Sequence, residues 1–430
     1  MSLNMSHTFI YNDAGQLNQE QLILPNQRQK TNYYRYSLAN QLISYSSADN
    51  ETTVYSYDAN GKLNSIIDRG IRVNLNYDKL GRYIGQFAHY EVGGNSVETK
   101  LSLGEFGREF KREVIENNKT KITTFEIEQD IPANNKIANK KLYLNKRLLR
   151  EENYFYDLFS RVTDYKCFGD IQPETPEGKK IQQQNYHWDA FGNLTRCVTT
   201  ADNTNQTVEY KYLNSSDPCQ LTDIKYLDKQ QSISLQYDDN GRMTVDEVRR
   251  SLNYDVMGRL QTVSKNQNTT FYGYDGLNRL LMKQSNDGFR EFYYLSDILT
   301  NEFYSDGQIR YNTLDKACLG FRQEFHDKNK PVQSTATATD TMGSVFALFD
   351  NGQETTIKSY SPWGDGAGQG SVGPQFNGEH CDEASGSYLL GNGYRAYSSQ
   401  LMRFTAPDSW SPFGEGGLMP MHIVMVIRSI

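Results

Sequence analysis

One short pattern recurs along most of this chain and constrains it more than any other feature. It reads aromatic-x-aromatic-Asp-x-x-Gly-(Arg/Lys/Asn)-apolar. Clear copies are YSYDANGKL from Tyr55, LNYDKLGRY from Leu75, YHWDAFGNL from Tyr186, LQYDDNGRM from Leu235, LNYDVMGRL from Leu252 and YGYDGLNRL from Tyr272. Looser copies are FIYNDAGQL from Phe9, YRYSLANQL from Tyr34 and YFYDLFSRV from Tyr154. Equivalent tyrosines lie 20 residues apart at Tyr57 and Tyr77, 17 at Tyr237 and Tyr254, and 20 at Tyr254 and Tyr274. A repeat of this kind is one supersecondary unit that cannot bury its apolar face alone, so neighbouring copies must stack.

The physics of one unit is legible. Apolar and polar residues alternate before the Asp, the period of two expected of a strand. An Asp opening a four-residue turn can accept the amide two residues on, and Gly is favoured at the fourth position. Asp255-Val256-Met257-Gly258 fits that template, and Asp58-Ala59-Asn60-Gly61 adds an Asn-Gly hairpin signal. Each unit is therefore a β-hairpin, and its tyrosines can pair across strands at roughly 0.2–1 kcal/mol per pair. A lone hairpin is marginal, so stability comes from setting many side by side. On this reading Asp58, Gly61, Asp78, Gly81, Asp189, Gly192, Asp238, Gly241, Asp255, Gly258 and Asp275 shape turns and carry no chemistry.

Composition agrees. The 430 residues include 30 Tyr and 20 Phe, yet the hydrophobic fraction is 37%, too poor in aliphatics for a buried parallel sheet and too aromatic for disorder. An antiparallel sheet with a wet face remains. The net charge of −7 comes with no long basic run; the cluster Lys140, Lys141, Lys146, Arg147 and Arg150 reads as a solvated hairpin face, which argues against a nucleic-acid partner. Five widely spaced cysteines form neither a CxxC metal motif nor a disulfide scaffold. The N-terminus lacks a secretory signal, and no apolar run reaches the ~20 residues of a membrane helix. The six histidines show no ligand spacing, and no phosphate loop or nucleophile elbow occurs, so no metal and no cofactor are expected. Gly364 to Gly370 reads as a flexible linker.

These repeats resemble the YD (Rhs) repeat family. The segment FNGEHCDEASGSYLLGNGYRAYSSQLMRFTAPDSWSPFGEGG, Phe376 to Gly417, resembles the Rhs repeat-associated core. TDTMGSVFALFD from Thr339 and YSPWGD from Tyr360 resemble its lead-in. The wording of this core is most similar to the C component of bacterial insecticidal Tc toxin complexes and related Rhs toxins. The resemblance implies an all-β fold in which antiparallel hairpin repeats spiral into part of a hollow shell, with the core as a C-terminal plug. It implies repeats over residues 1–150 and 151–330, the core over 331–418 and an aberrant tail over 419–430. It further implies encapsulation of a C-terminal toxic cargo domain absent here, a B-component-like N-terminal shell partner or missing upstream repeats, and export by a non-classical route. The competing function classes are a self-processing aspartyl protease and an extracellular carbohydrate-binding or adhesion module.

In that family the core cuts its own chain downstream, with two carboxylates sharing acid and base roles. By motif, Arg395 of GNGYRAY and Asp408 of RFTAPD match the family's Arg and first Asp. The second Asp belongs to a DPxG-type motif further on, and no aspartate follows Asp408 here, so the expectation is a non-enzyme with no self-cleavage. Family members continue after the GG with a run like LNPYAYCxGDPxN, where this chain reads LMPMHIVMVIRSI. Codons for Met421 to Ile430 read two bases later permit AYCHGDPFN, which points to a frameshift near Leu418. A genuinely divergent terminus or a short membrane-active peptide are the other readings.

Overall fold

The computed structural model describes residues 5–24, 28–118, 120–132, 134–286, 288–315, 317–350, 353–366 and 372–408. It is all-β. Antiparallel strands form sheets of 19, 13 and 4 strands, and one 3-10 turn, Phe376–Gly378, is the only helical piece among the described residues. The tail expected over 419–430 lies outside them.

Each repeat folds as its alternation dictates. In Ile71–Tyr77 the side chains of Ile71, Val73 and Leu75 are buried, while Arg72, Asn74 and Asn76 between them are exposed. That strand pairs with Tyr83–Tyr90, as Thr52–Tyr57 pairs with Leu63–Asp68. The turn Asp behaves as expected: Asp58 Oδ1 accepts the Asn60 amide at 2.8 Å and the Lys62 amide at 2.9 Å. The same two amides are caught by Asp78, Asp189, Asp238, Asp255 and Asp275.

The Asn-Gly reading of the first turn needs correction. Gly61, not Asn60, takes the positive φ of 81°, and the register shifts by one residue at Tyr57, which pairs with Leu63. This is a type I turn closed by a glycine bulge rather than a two-residue loop. Where the fourth residue is not Gly, Asn278 holds the same conformation at φ 68°, which Asn tolerates better than most residues.

The residue after the turn Gly does work the repeat pattern did not reveal. Arg82 Nε donates to Asp78 Oδ2 at 2.7 Å, and Arg161, Arg242 and Arg259 repeat the contact with Asp157, Asp238 and Asp255. The same position then reaches the next turn: Gln41 to Gly61 O at 3.0 Å, Lys62 to Gly81 O at 3.0 Å, Arg161 to Asp189 O at 3.1 Å and Arg242 to Asp255 O at 3.0 Å. Consecutive hairpins are thus tied at their turns as well as along their strands.

The chain forms two compact units. Unit 1 comprises residues 1–125, 273–343 and 347–356. Its interior holds Tyr45, Ile71, Val73 and Tyr90, together with an ion network around Arg310. Arg310 donates through Nε to Asp68 Oδ1 at 2.9 Å and through NH1 to Asp49 Oδ2 at 2.8 Å, and Asn312 also donates to Asp68. Glu20 is held there by His7, Tyr34 and Arg279 at 2.8, 2.6 and 2.7 Å.

Unit 2 comprises residues 126–272, 344–346 and 357–430. Its basic hairpin, Asn139–Leu144 with Arg147–Tyr156, forms as expected, but its solvated face is incomplete. Arg150 is buried, with Nε on Glu152 at 3.1 Å and NH1 on Ser359 Oγ at 2.6 Å. The Gly-rich segment is likewise no free linker where it is described. A Cβ on Gly364 would meet the Phe376 ring at 2.5 Å, and one on Gly366 would meet Ser359 O at 2.2 Å, so close packing requires glycine at both. Residues 367–370 of that stretch lie outside the described ones.

Candidate functional site

The candidate site is the four-stranded sheet in unit 2 that lies within the stretch expected to be the core. Four short strands, Cys381–Asp382, Ser387–Leu390, Arg395–Ser398 and Arg403–Phe404, pair antiparallel in that order. Tyr388, Tyr397 and Phe404 pack between them with Phe376, Cys381 and Leu390. The two tyrosines are 1% exposed, and each finds an acceptor: Tyr388 donates to Gly364 O at 2.9 Å and Tyr397 to Trp363 O at 3.0 Å. The Trp363 ring meets Tyr186 edge-on at 5.8 Å and Trp188 at a tilt at 6.0 Å, which seats this segment against the hairpin strands of its own unit.

The structure brings Arg395 and Asp408 together. Arg395 NH1 meets Asp408 Oδ2 at 3.0 Å, NH2 donates to Ala406 O at 3.0 Å, and the guanidinium lies 3.6 Å from the Phe404 ring centroid. Burial depresses the Arg395 pKa to about 10, against the pull of the Asp408 charge, and the side chain stays cationic at neutral pH. The pair is a charge-assisted clamp that fixes the chain where it leaves the last strand. The turn residues Asp58, Gly61, Asp78, Gly81, Asp189, Gly192, Asp238, Gly241, Asp255, Gly258 and Asp275 all sit in hairpin turns. No grouping of three or more metal-ligating side chains occurs among the described residues.

Sequence reasoning missed what anchors this end. In most repeats the aromatic just before the turn Asp donates to a carbonyl of the preceding hairpin: Tyr57 to Leu42 O, Tyr77 to Leu63 O, Trp188 to Val162 O and Tyr237 to Leu221 O, all at 2.7–2.8 Å. Tyr254 departs from the rule. Its hydroxyl reaches Thr405 O of the core at 3.3 Å, and the Met243 amide donates to the same oxygen at 2.8 Å. Arg403 NH2 donates to Cys219 O at 2.9 Å, and Pro407 meets the turn at Gly241. The strand Arg403–Phe404 and Thr405 after it therefore occupy a place that a hairpin holds elsewhere. The invariant aromatic before each Asp was the available signal, but its acceptor could not be read from sequence.

A family model described as teneurin YD-shell matches residues 89–415. No match was found among curated proteins. Among solved structures, the crystal structure of TcdB2-TccC3-Cdc42 aligns with a TM-score of 0.65 at 16% identity, covering 98% of this chain and 26% of that one. The Photorhabdus luminescens Tc holotoxin pore aligns with a TM-score of 0.60 at 16% identity, covering 98% of this chain and 25% of that one. At this identity the likeness is one of fold, and the chain spans about a quarter of the length of those it matches.

Proposed function

This chain belongs to the teneurin YD-shell family, and from that premise we propose that it is a wall segment of an Rhs/Tc-type toxin shell that encloses and presents a C-terminal toxic domain. The observation that carries the reading is the seating of Thr405 O on Met243 and Tyr254. It anchors the core just before Asp408, so that any chain beyond is delivered from a fixed point on the hairpins. In this reading residues 1–330 are wall and 331–418 are core. The product acts outside the producing cell after export; among the described residues no helix is long and apolar enough to cross a membrane.

The wall is completed by a further shell chain; TcdB2 is named beside TccC3 in the matched crystal structure. Exposed apolar residues at the turn tips, Leu38, Leu80 and Phe106 in unit 1 and Leu158, Phe159 and Phe191 in unit 2, support such a neighbour. The experiment appends a protease-sensitive reporter domain after the core and co-expresses the chain with an upstream shell partner. Enclosure predicts a reporter resistant to protease until the assembly is unfolded. Digestion at the rate of free reporter rejects it.

The Arg395–Asp408 pair favours a second reading, a self-processing aspartyl protease core in which Asp408 is the first aspartate and the second comes from a downstream DPxG-type motif. Restoring a downstream DPxG segment in the same preparation tests that reading by the appearance of a cut reporter on a gel.

A further inference from the structure

Arg403 opens the last strand of the core and is 4% exposed. A guanidinium taken out of water is costly unless paired. Its NH2 group has Cys219 O, and its guanidinium lies 5.7 Å from the Tyr212 ring centroid, but its Nε has no acceptor. Among the described residues no carboxylate forms an ion pair with it.

The titratable groups that face it are Tyr212, Tyr237 and Cys219. Burial pushes Tyr212 up to about 12 and raises Tyr237 and the Cys219 thiol, so all three are neutral at physiological pH. Asp189, whose charge reaches Tyr212, is engaged elsewhere. Its Oδ1 accepts the amides of Phe191 and Asn193 at 2.9 and 2.8 Å, and its Oδ2 accepts Asn193 Nδ2 at 2.9 Å. Asp217 accepts the Cys219 amide at 3.0 Å.

A second donor shares the place. Trp363 Nε1, in a residue that is 4% exposed, has the Tyr186 hydroxyl nearby but no hydrogen bond of normal geometry. Trp363 and Arg403 line one cavity, walled by Trp188, Leu194, Tyr210 and Tyr212, with about 20 Å³ of room. That is room for one or two water-sized species.

We propose that this cavity binds a small monovalent anion of the halide class, held by Arg403 and the indole N–H of Trp363. The aromatic walls suit it, because ring edges carry partial positive charge. The anion supplies the charge the core lacks at its last strand, and the site's size selects chloride over sulfate.

The test uses the full chain in sodium gluconate, with chloride titrated in at constant neutral pH and ionic strength. Chloride should raise Tm saturably by about 2–3 °C, since a ligand of the folded state stabilises by mass action. Sulfate should not reproduce the rise. The chlorine NMR line should broaden with wild-type protein and narrow with Arg403→Gln. Trp363→Phe keeps most of the ring bulk and loses one donor, so it should weaken binding about tenfold, and it serves should Arg403→Gln fail to fold. Equal Tm in chloride and gluconate without line broadening overturns the proposal. So does a chloride response undiminished in Trp363→Phe.

Discussion

At the scale of single residues, one aromatic position defines how the core is held. Tyr254 occupies the slot from which Tyr57, Tyr77 and Tyr237 tie hairpin to hairpin, yet its hydroxyl goes to Thr405 O. Tyr254→Phe keeps the ring and removes one donor, at a cost of about 0.5–1.5 kcal/mol. The expected result is faster proteolysis within 399–408 with little change in global Tm; an unchanged cleavage rate would show that the Met243 amide alone seats the strand. The turn aspartates were legible from sequence because their partners lie two and four residues away. Arg395 and Asp408 were legible by motif, and the structure joins them 13 residues apart. The Tyr254 bond was not legible: its partners stand 151 residues apart, and nothing local encodes which carbonyl a tyrosine will find.

At the scale of elements, buried acids answer pH in opposite senses according to their partners. In unit 2, burial holds the Asp365 carboxyl up at about 6 against the Gly366 amide, and burial with the adjacent Asp246 charge holds Glu247 at about 7. A raised folded pKa contributes stability that is complete below the unfolded value near 4 and is lost as pH climbs through 6 to 7. In unit 1, burial opposes ionisation of Glu20, but the hydrogen bonds from His7, Tyr34 and Arg279 outweigh it and bring the pKa to about 2. That contribution is present above the unfolded value and fades only as pH falls through 2. Raising pH from about 5 to about 8 should therefore speed hydrogen exchange in the core strands on the order of tenfold or more, after correction for intrinsic rates. Asp365→Asn should flatten the effect. A core equally protected at both pH values would sink the assignment. Strand alternation announced the hairpins; the burial of Asp365 depends on the packing of Gly364 and Gly366, which sequence suggested was a linker.

At the scale of the whole molecule, long-range polar networks complement the local repeats. Arg310 holds Asp49 and Asp68 from the far side of the sequence, 261 and 242 residues away. Arg310→Ala would leave two buried carboxylates without their cation, and urea unfolding should report a loss of about 3–5 kcal/mol in unit 1. A loss below 1 kcal/mol would mean that water reaches the carboxylates. Such networks set which hairpins meet, a matter the repeats themselves leave open because every copy offers the same face. The ties between turns have a different consequence. Gln41, Lys62, Arg161 and Arg242 each reach only the next turn, so no hairpin counts how many precede it. A duplication or excision of one whole repeat regenerates every broken tie, whereas loss of half a repeat orphans a carbonyl on each side. Genes for such walls are free to grow and shrink by whole hairpins, and descendants should differ in length in steps of one repeat.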